Sequence, residues 1–189
     1  MLSKVITIAQ QKGGTGKTTL AVHLAMAFIK YHDLKVAIID TDPQGSLGKW
    51  FMIRSENKVS NENLTFKTAS LWGAQYESKT LKNDHDIVII DTPPIGLVTD
   101  GVILMKSADI NLYVVRHNYT KHQALSVVNS LYDNNQIKEE IIINEMWKNY
   151  GMTFAEYMHL SFFKDPLNND LIKVNGRSIL DKIVKENNE

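Results

Sequence analysis

Residues 10–19 read Gln10-Gln11-Lys12-Gly13-Gly14-Thr15-Gly16-Lys17-Thr18-Thr19, and this stretch decides the fold. An apolar run, Val5-Ile6-Thr7-Ile8-Ala9, leads into it, and Leu20, Leu24, Ala27 and Phe28 follow at helical spacing. Strand, glycine-rich turn and helix in that order form the context of a phosphate-binding loop. Glycines let backbone N–H groups close around phosphate oxygens without Cβ clashes, and the helix N-terminus adds free donors and a positive dipole end. Lys17 is expected to reach β/γ-phosphates and the Thr18 hydroxyl to ligate Mg²⁺. An ordinary loop of this kind carries glycine five residues before its last glycine; here that position is Gln11, and a second lysine, Lys12, follows it. Lys12 lies too far round the loop to duplicate Lys17. Its expected target is a neighbouring protomer's nucleotide.

Two further motifs belong with the loop. Ile38-Ile39-Asp40-Thr41-Asp42-Pro43-Gln44-Gly45-Ser46 ends a strand on two carboxylates at alternating positions, then turns into a helix. Two carboxylates beside a triphosphate suit metal–water coordination and the positioning of an attacking water. Asp and Pro also make caps and turns with no chemistry attached; proximity to the loop gives the catalytic reading its weight. Asp86-Ile87-Val88-Ile89-Ile90-Asp91-Thr92-Pro93-Pro94 is an apolar strand ending in aspartate, and Asp91 is expected to hold Mg²⁺ through water. The proline pair stiffens the segment that follows.

Short runs rich in Val and Ile alternate with helical patterns along the chain. Strands are expected at 4–9, 36–40, 64–68, 87–91, 110–115 and 141–144. Helices are expected at 17–31, 46–54, 71–81, 97–106 and 122–134. Most of the strands lack polar alternation, which reads as burial on both faces and therefore as parallel pairing. The fold class is α/β, a doubly wound, mainly parallel sheet flanked by helices, and all three motifs fall at carboxyl ends of strands. The 189 residues are read as one domain, 1–189, with a frayed tail from Lys185 and least legibility between Trp147 and Arg177.

Composition excludes several classes. The chain has no cysteine, so it offers no disulfide, thiolate metal site or iron–sulfur ligation. No transmembrane helix or signal peptide is expected, and a nucleotide-binding loop implies the cytoplasm. Net charge is +0, so any nucleic-acid binding must come from a local patch rather than bulk electrostatics. The six histidines have no metal-ligand spacing on a helix face and are expected at the surface or as caps.

The stretches Lys12–Thr19, Asp40–Ser46 and Asp91–Pro94 resemble the deviant Walker A, switch I and switch II motifs of the ParA/MinD partition ATPases. Residues 46–51 and 64–70 resemble the small, single-domain ParA-like proteins, so the likeness covers roughly the first half of the chain. It implies a P-loop ATPase that binds ATP and Mg²⁺ and dimerises face to face around two nucleotides. It also implies nonspecific DNA binding as the ATP dimer, hydrolysis stimulated by a ParB-like partner, and a cytoplasmic, nucleoid-associated location. By the same resemblance Lys12 crosses the dimer, and Lys12, Gly13, Gly14, Thr15, Gly16, Lys17, Thr18 and Thr19 cradle the phosphates. Thr18 and Asp91 hold Mg²⁺, Asp40 supports the metal site, and Asp42 serves hydrolysis. Asn144 matches an asparagine that contacts adenine. The absence of cysteine sets the chain apart from the nitrogenase iron protein and iron–sulfur scaffold branches of the superfamily.

Two other classes share these motifs. Residues 91–115 also resemble bacterial tyrosine kinases, but the last 30 residues hold no tyrosine for the cluster those carry. A MinD-like membrane cycle calls for a basic amphipathic C-terminal helix. Ser178–Lys185 has an apolar side but balanced charge and no aromatic, which reads as a docking helix, and no stable membrane association is expected. The late lysines and Arg177 alternate with Asp165, Asp170, Asp181 and Glu186, the pattern of a solvated mixed surface.

Overall fold

The computed structural model describes residues 3–10, 16–58, 61–94, 100–115, 130, 131, 133–137 and 140–144. In chain order the elements are β1 (Lys4–Ala9), α1 (Lys17–His32), β2 (Val36–Asp40), α2 (Ser46–Glu56), β3 (Leu64–Thr68), α3 (Leu71–Leu81), β4 (Ile87–Asp91), α4 (Asp100–Ser107), β5 (Ile110–Val115) and β6 (Glu140–Asn144). The first five strands and α3 have their expected bounds. β6 starts one residue early, and α1 and α2 run one and two residues further than expected. Of the helix expected at 97–106, residues 97–99 lie outside the described residues. So does most of the one expected at 122–134, although Ser130, Leu131 and Asp133 are helical.

The strands form one sheet in the order β3-β2-β4-β1-β5-β6, and every neighbouring pair is parallel. Every residue of β2 and β4 is buried, which is why they are unbroken apolar runs. β3, at the edge, is half-buried to exposed and carries Thr65, Lys67 and Thr68. Alternate strand residues feed two cores. Ile6, Ile8, Ile38 and Ile89 pack with α1 and α2 around the fully buried Phe28. Val5, Ala37, Ile39, Val88 and Ile90 pack on the opposite face with Ala74 and Leu81 of α3 and Leu104 of α4.

Parallel pairing sends every loop after a strand to one edge of the sheet. The chain leaves β1 toward β2, to one side, and leaves β4 toward β5, to the other. Because β1 and β4 are neighbours, their carboxyl ends flank the crevice that such a divergence opens. A register of Ile8 to Asp91 and of Asp40 to Asp91 fixes the acidic residues side by side at this edge. At the opposite edge, Asp109 ties three elements together. Its Oδ2 accepts from the Val5 backbone N–H at 2.9 Å and from Lys82 Nζ at 3.0 Å.

Candidate functional site

The site is built from the starts of two helices. α1 begins at Gly16 (φ 86°) and α2 at Gly45 (φ 61°); both are left-handed, a conformation that a Cβ would strain. Neither helix has a side-chain cap or an acidic residue in its first turn. The first-turn N–H groups of α1 and its positive dipole end are therefore left for an anion, whereas at α2 the Asp40 carboxylate takes the Gly48 N–H. Between the two helix starts lies a cleft of about 600 Å³. Gly16, Lys17, Thr18 and Thr19 line it from α1, with Val22 and His23 a turn further on; Asp42, Gln44, Ser46 and Trp50 line it from the β2–α2 side, and Pro94 lines it after β4.

Charge is concentrated at its floor. Lys17 is 6% exposed, and burial lowers its pKa from the usual lysine value, with Asp91 and then Asp42 opposing the shift. Asp91, the last residue of β4, is 1% exposed. Burial raises its pKa to about 6, against the opposing pull of the Thr18 hydrogen bond and Lys17; Asp40 and Asp42 add repulsion. Thr18 Oγ1 donates to Asp91 Oδ2 at 2.6 Å, while Asp91 Oδ1 is buried with no hydrogen-bond partner. A hydroxyl oxygen beside a carboxylate with one unsatisfied oxygen, at the foot of an anion cleft, is a hard-oxygen donor set of the kind Mg²⁺ takes. These two residues fit the ion.

Asp40 is otherwise engaged. Its Oδ1 accepts from the Asp42 N–H at 3.0 Å and its Oδ2 from the Gly48 N–H at 3.3 Å. Burial raises its pKa, and these backbone bonds oppose the rise. The carboxylate thus holds the turn that carries Asp42 and the first turn of α2. Asp42 caps its own turn, with Oδ1 accepting from the Gln44 N–H at 2.9 Å, and remains half-buried on the cleft wall. Two threonines lock the strand ends: Thr41 Oγ1 donates to the Asp91 carbonyl at 2.8 Å, and Thr92 Oγ1 to the Ile8 carbonyl at 2.7 Å.

Of the residues singled out in the sequence, Gly16, Lys17, Thr18, Thr19, Asp40, Asp42 and Asp91 come together here. Lys12, Gly13, Gly14 and Thr15 lie outside the described residues. Asn144 ends β6, two strands from β1 and at the same edge of the sheet, roughly 10 Å away by strand spacing. Trp50 is not among the site residues singled out in the sequence. Its ring does touch the core, with Phe51 edge-on at 4.9 Å and the Arg54 guanidinium over it at 4.6 Å, but it also forms a cleft wall. The spacing Ser46 to Trp50, one helical turn, was the available signal. Gln10 was also missed: it is fully buried just before the loop, and neither amide atom has a partner.

A profile of the CobQ/CobB/MinD/ParA nucleotide binding domain matches residues 6–185. The chain belongs to this family. Among individual relatives, it is 27% identical over 162 residues to the sporulation initiation inhibitor protein Soj of Bacillus subtilis, covering 66% of this chain and 63% of Soj. It is 26% identical over 169 residues to the chromosome partitioning protein ParA of Myxococcus xanthus, covering 70% of this chain and 59% of that protein. The matches thus span about six-tenths of those relatives' length. In structure it resembles a plasmid partition protein from Borrelia burgdorferi, with a TM-score of 0.63, 21% identity, and coverage of 98% of this chain and 100% of that one. That likeness carries the fold, and the parallel sheet of this family member is the one its sequence called for.

Proposed function

We propose that this chain is a ParA-type ATPase that binds ATP with Mg²⁺, dimerises in the ATP state and acts in DNA partition or cargo positioning. The observation that carries the reading is that Lys17, Thr18 and Asp42 line one cleft at the uncapped N-terminus of α1, with the Asp91 carboxylate hydrogen-bonded to Thr18. The likeness to the chromosome partitioning protein ParA of Myxococcus xanthus supports it.

In this reading the first-turn N–H groups of α1 and the Lys17 ammonium bind the phosphates, and burial of Lys17 strengthens that attraction by excluding water. Thr18 and Asp91 hold Mg²⁺, which neutralises developing phosphate charge. Asp40 keeps the loop in place, so that Asp42 orients the attacking water and accepts its proton. Lys12 reaches the partner's phosphates, and Asn144 faces the base. No arginine among the described residues lines the cleft, so basal turnover is slow and a ParB-like partner accelerates it. The ATP dimer binds DNA without sequence preference, and the protein resides in the cytoplasm, associated with the nucleoid.

Gel filtration with ATP, with ADP and without nucleotide tests the reading. The Asp42→Ala variant should retain ATP and accumulate as a dimer, with its hydrolysis lost. Protein that binds neither nucleotide in the presence of Mg²⁺ sinks the proposal.

A further inference from the structure

α3 presents an exposed stripe on the sheet face opposite the cleft. Trp72 is 66% exposed and Tyr76 73%, and Lys79 and Thr80 are exposed one turn further along. Ala74, Ser78 and Leu81 form the buried side of the same helix. Among the described residues neither aromatic ring stacks on another ring, and Lys79 makes no ion pair. Trp50 makes the contrast: its indole is covered by Phe51 and Arg54. Two large aromatics at i and i+4, left in water on a helix whose other side is packed, are the residue types that anchor protein interfaces.

The order of the stripe specifies the occupant. Tyr76 sits at its centre, Trp72 one turn toward the N-terminus, and Lys79 one turn toward the C-terminus. A second α3 laid antiparallel about a two-fold axis through Tyr76 brings tyrosine onto tyrosine. It also brings the Lys79 ammonium of each copy onto the Trp72 indole of the other. The contact is therefore self-complementary, as an isologous interface requires, with two cation–π pairs related by the axis. The exposed positions of the stripe carry no acid, and in this arrangement each lysine lies over a ring rather than over its twin, which limits like-charge repulsion. A polyanion finds here a convex helix with one lysine and no groove to track its phosphates.

We infer that α3 is a homodimerisation surface, independent of nucleotide and distinct from any dimer formed across the cleft. The two rings offer roughly 300 Å² per protomer, well under the ~800 Å² of a stable interface, so the association is weak and appears only at high protein concentration.

Sedimentation velocity over a wide concentration series of the full chain, free of nucleotide, tests this. Wild-type protein should show a monomer–dimer equilibrium. Trp72→Ser and Tyr76→Glu should each remove it while leaving nucleotide binding unchanged, because neither residue touches the cleft or the core. Met52→Ser, at an exposed apolar position on α2 across the sheet, should leave it intact. Wild-type protein that stays monomeric, dimerisation that needs ATP, or loss of the dimer in Met52→Ser as well would each overturn the inference. A shift of the monomer caused only by added duplex DNA, with no self-association, would assign the stripe to nucleic acid and overturn it too.

Discussion

Asp91 carries the balance of the site at the scale of single residues. In an unfolded chain its carboxyl ionises near 3.8; in the folded chain it keeps its proton up to about 6. Between those values the folded state binds more protons than the unfolded one, so this residue's contribution to stability falls as pH rises through the window. At neutral pH the ionised carboxylate costs about 1–3 kcal/mol of stability in the ligand-free protein. Asp91→Asn, which can still accept from Thr18, should therefore raise the melting temperature of nucleotide-free protein at pH 7 and leave it little changed near pH 4. The same substitution should remove Mg²⁺-dependent nucleotide affinity. In the wild type that affinity should decline as pH falls through about 6, read by isothermal titration at a series of pH values, and a flat profile would assign the metal elsewhere. The two lysines of the loop should separate by function. Lys17→Ala removes the buried cation beside Asp91 and should cost nucleotide binding itself, at least tenfold in Kd. Lys12→Ala should leave monomer binding nearly intact but abolish ATP-dependent dimerisation. Equal losses in both variants would contradict a role for Lys12 across the interface.

Among the elements, the helices differ in how their ends are made. α1 and α2 both begin on glycines, but only α1 leaves its first N–H groups to the cleft, since the Asp40 carboxylate takes the Gly48 N–H of α2. α3, which begins at the same edge of the sheet, is closed conventionally: Ser70 Oγ accepts from the Gly73 N–H at 3.1 Å. The open start of α1 serves the site and the capped start of α3 serves stability. Ser70→Ala should cost about 1 kcal/mol, a fall of roughly 2–4 °C in Tm for a chain of this size, with nucleotide affinity unchanged. Thermal unfolding followed by circular dichroism measures it; a change in nucleotide affinity would show instead that α3 is coupled to the cleft. α1 ends on Asp33 in the left-handed region (φ 53°), its N–H bonded to the Ile29 carbonyl at 3.1 Å, a position that glycine commonly fills.

For the whole molecule the decisive number is a net charge of +0. A neutral monomer has little pull on a polyanion, so DNA binding in the proposed function requires two protomers to combine local basic patches into one footprint. Affinity for duplex DNA should appear only with ATP and fall steeply with salt, as read by fluorescence anisotropy across a salt series. Equal binding without nucleotide would contradict this. The nucleotide-free association proposed for α3 uses the opposite sheet face, so the two can be separated by substitution.

The sequence by itself determined the local elements and the chemistry of the loop. Unbroken Val and Ile runs mean strands covered on both sides, and in this chain they fixed the bounds of β2 and β4, while the polar edge strand β3 is only half-buried to exposed. Lys17, Thr18, Asp40, Asp42 and Asp91 were legible because each stands where a strand or turn ends, and the order of the motifs needs no coordinates. Tertiary structure alone decided the strand order, which puts β4 between β1 and β2 and so brings Asp91 beside Thr18, 73 positions away in the chain. It decided that Asp40 is spent on backbone N–H groups and that Trp50 forms a cleft wall. It also decided that Gln10 is buried without a partner, while Trp72 and Tyr76 are left in solvent. The reason is physical. Periodicity reports which face of an element is apolar, a property of neighbours in the chain. Which carboxylate meets which hydroxyl, and which aromatic is left uncovered, depends on elements distant in sequence that only the packed sheet brings together.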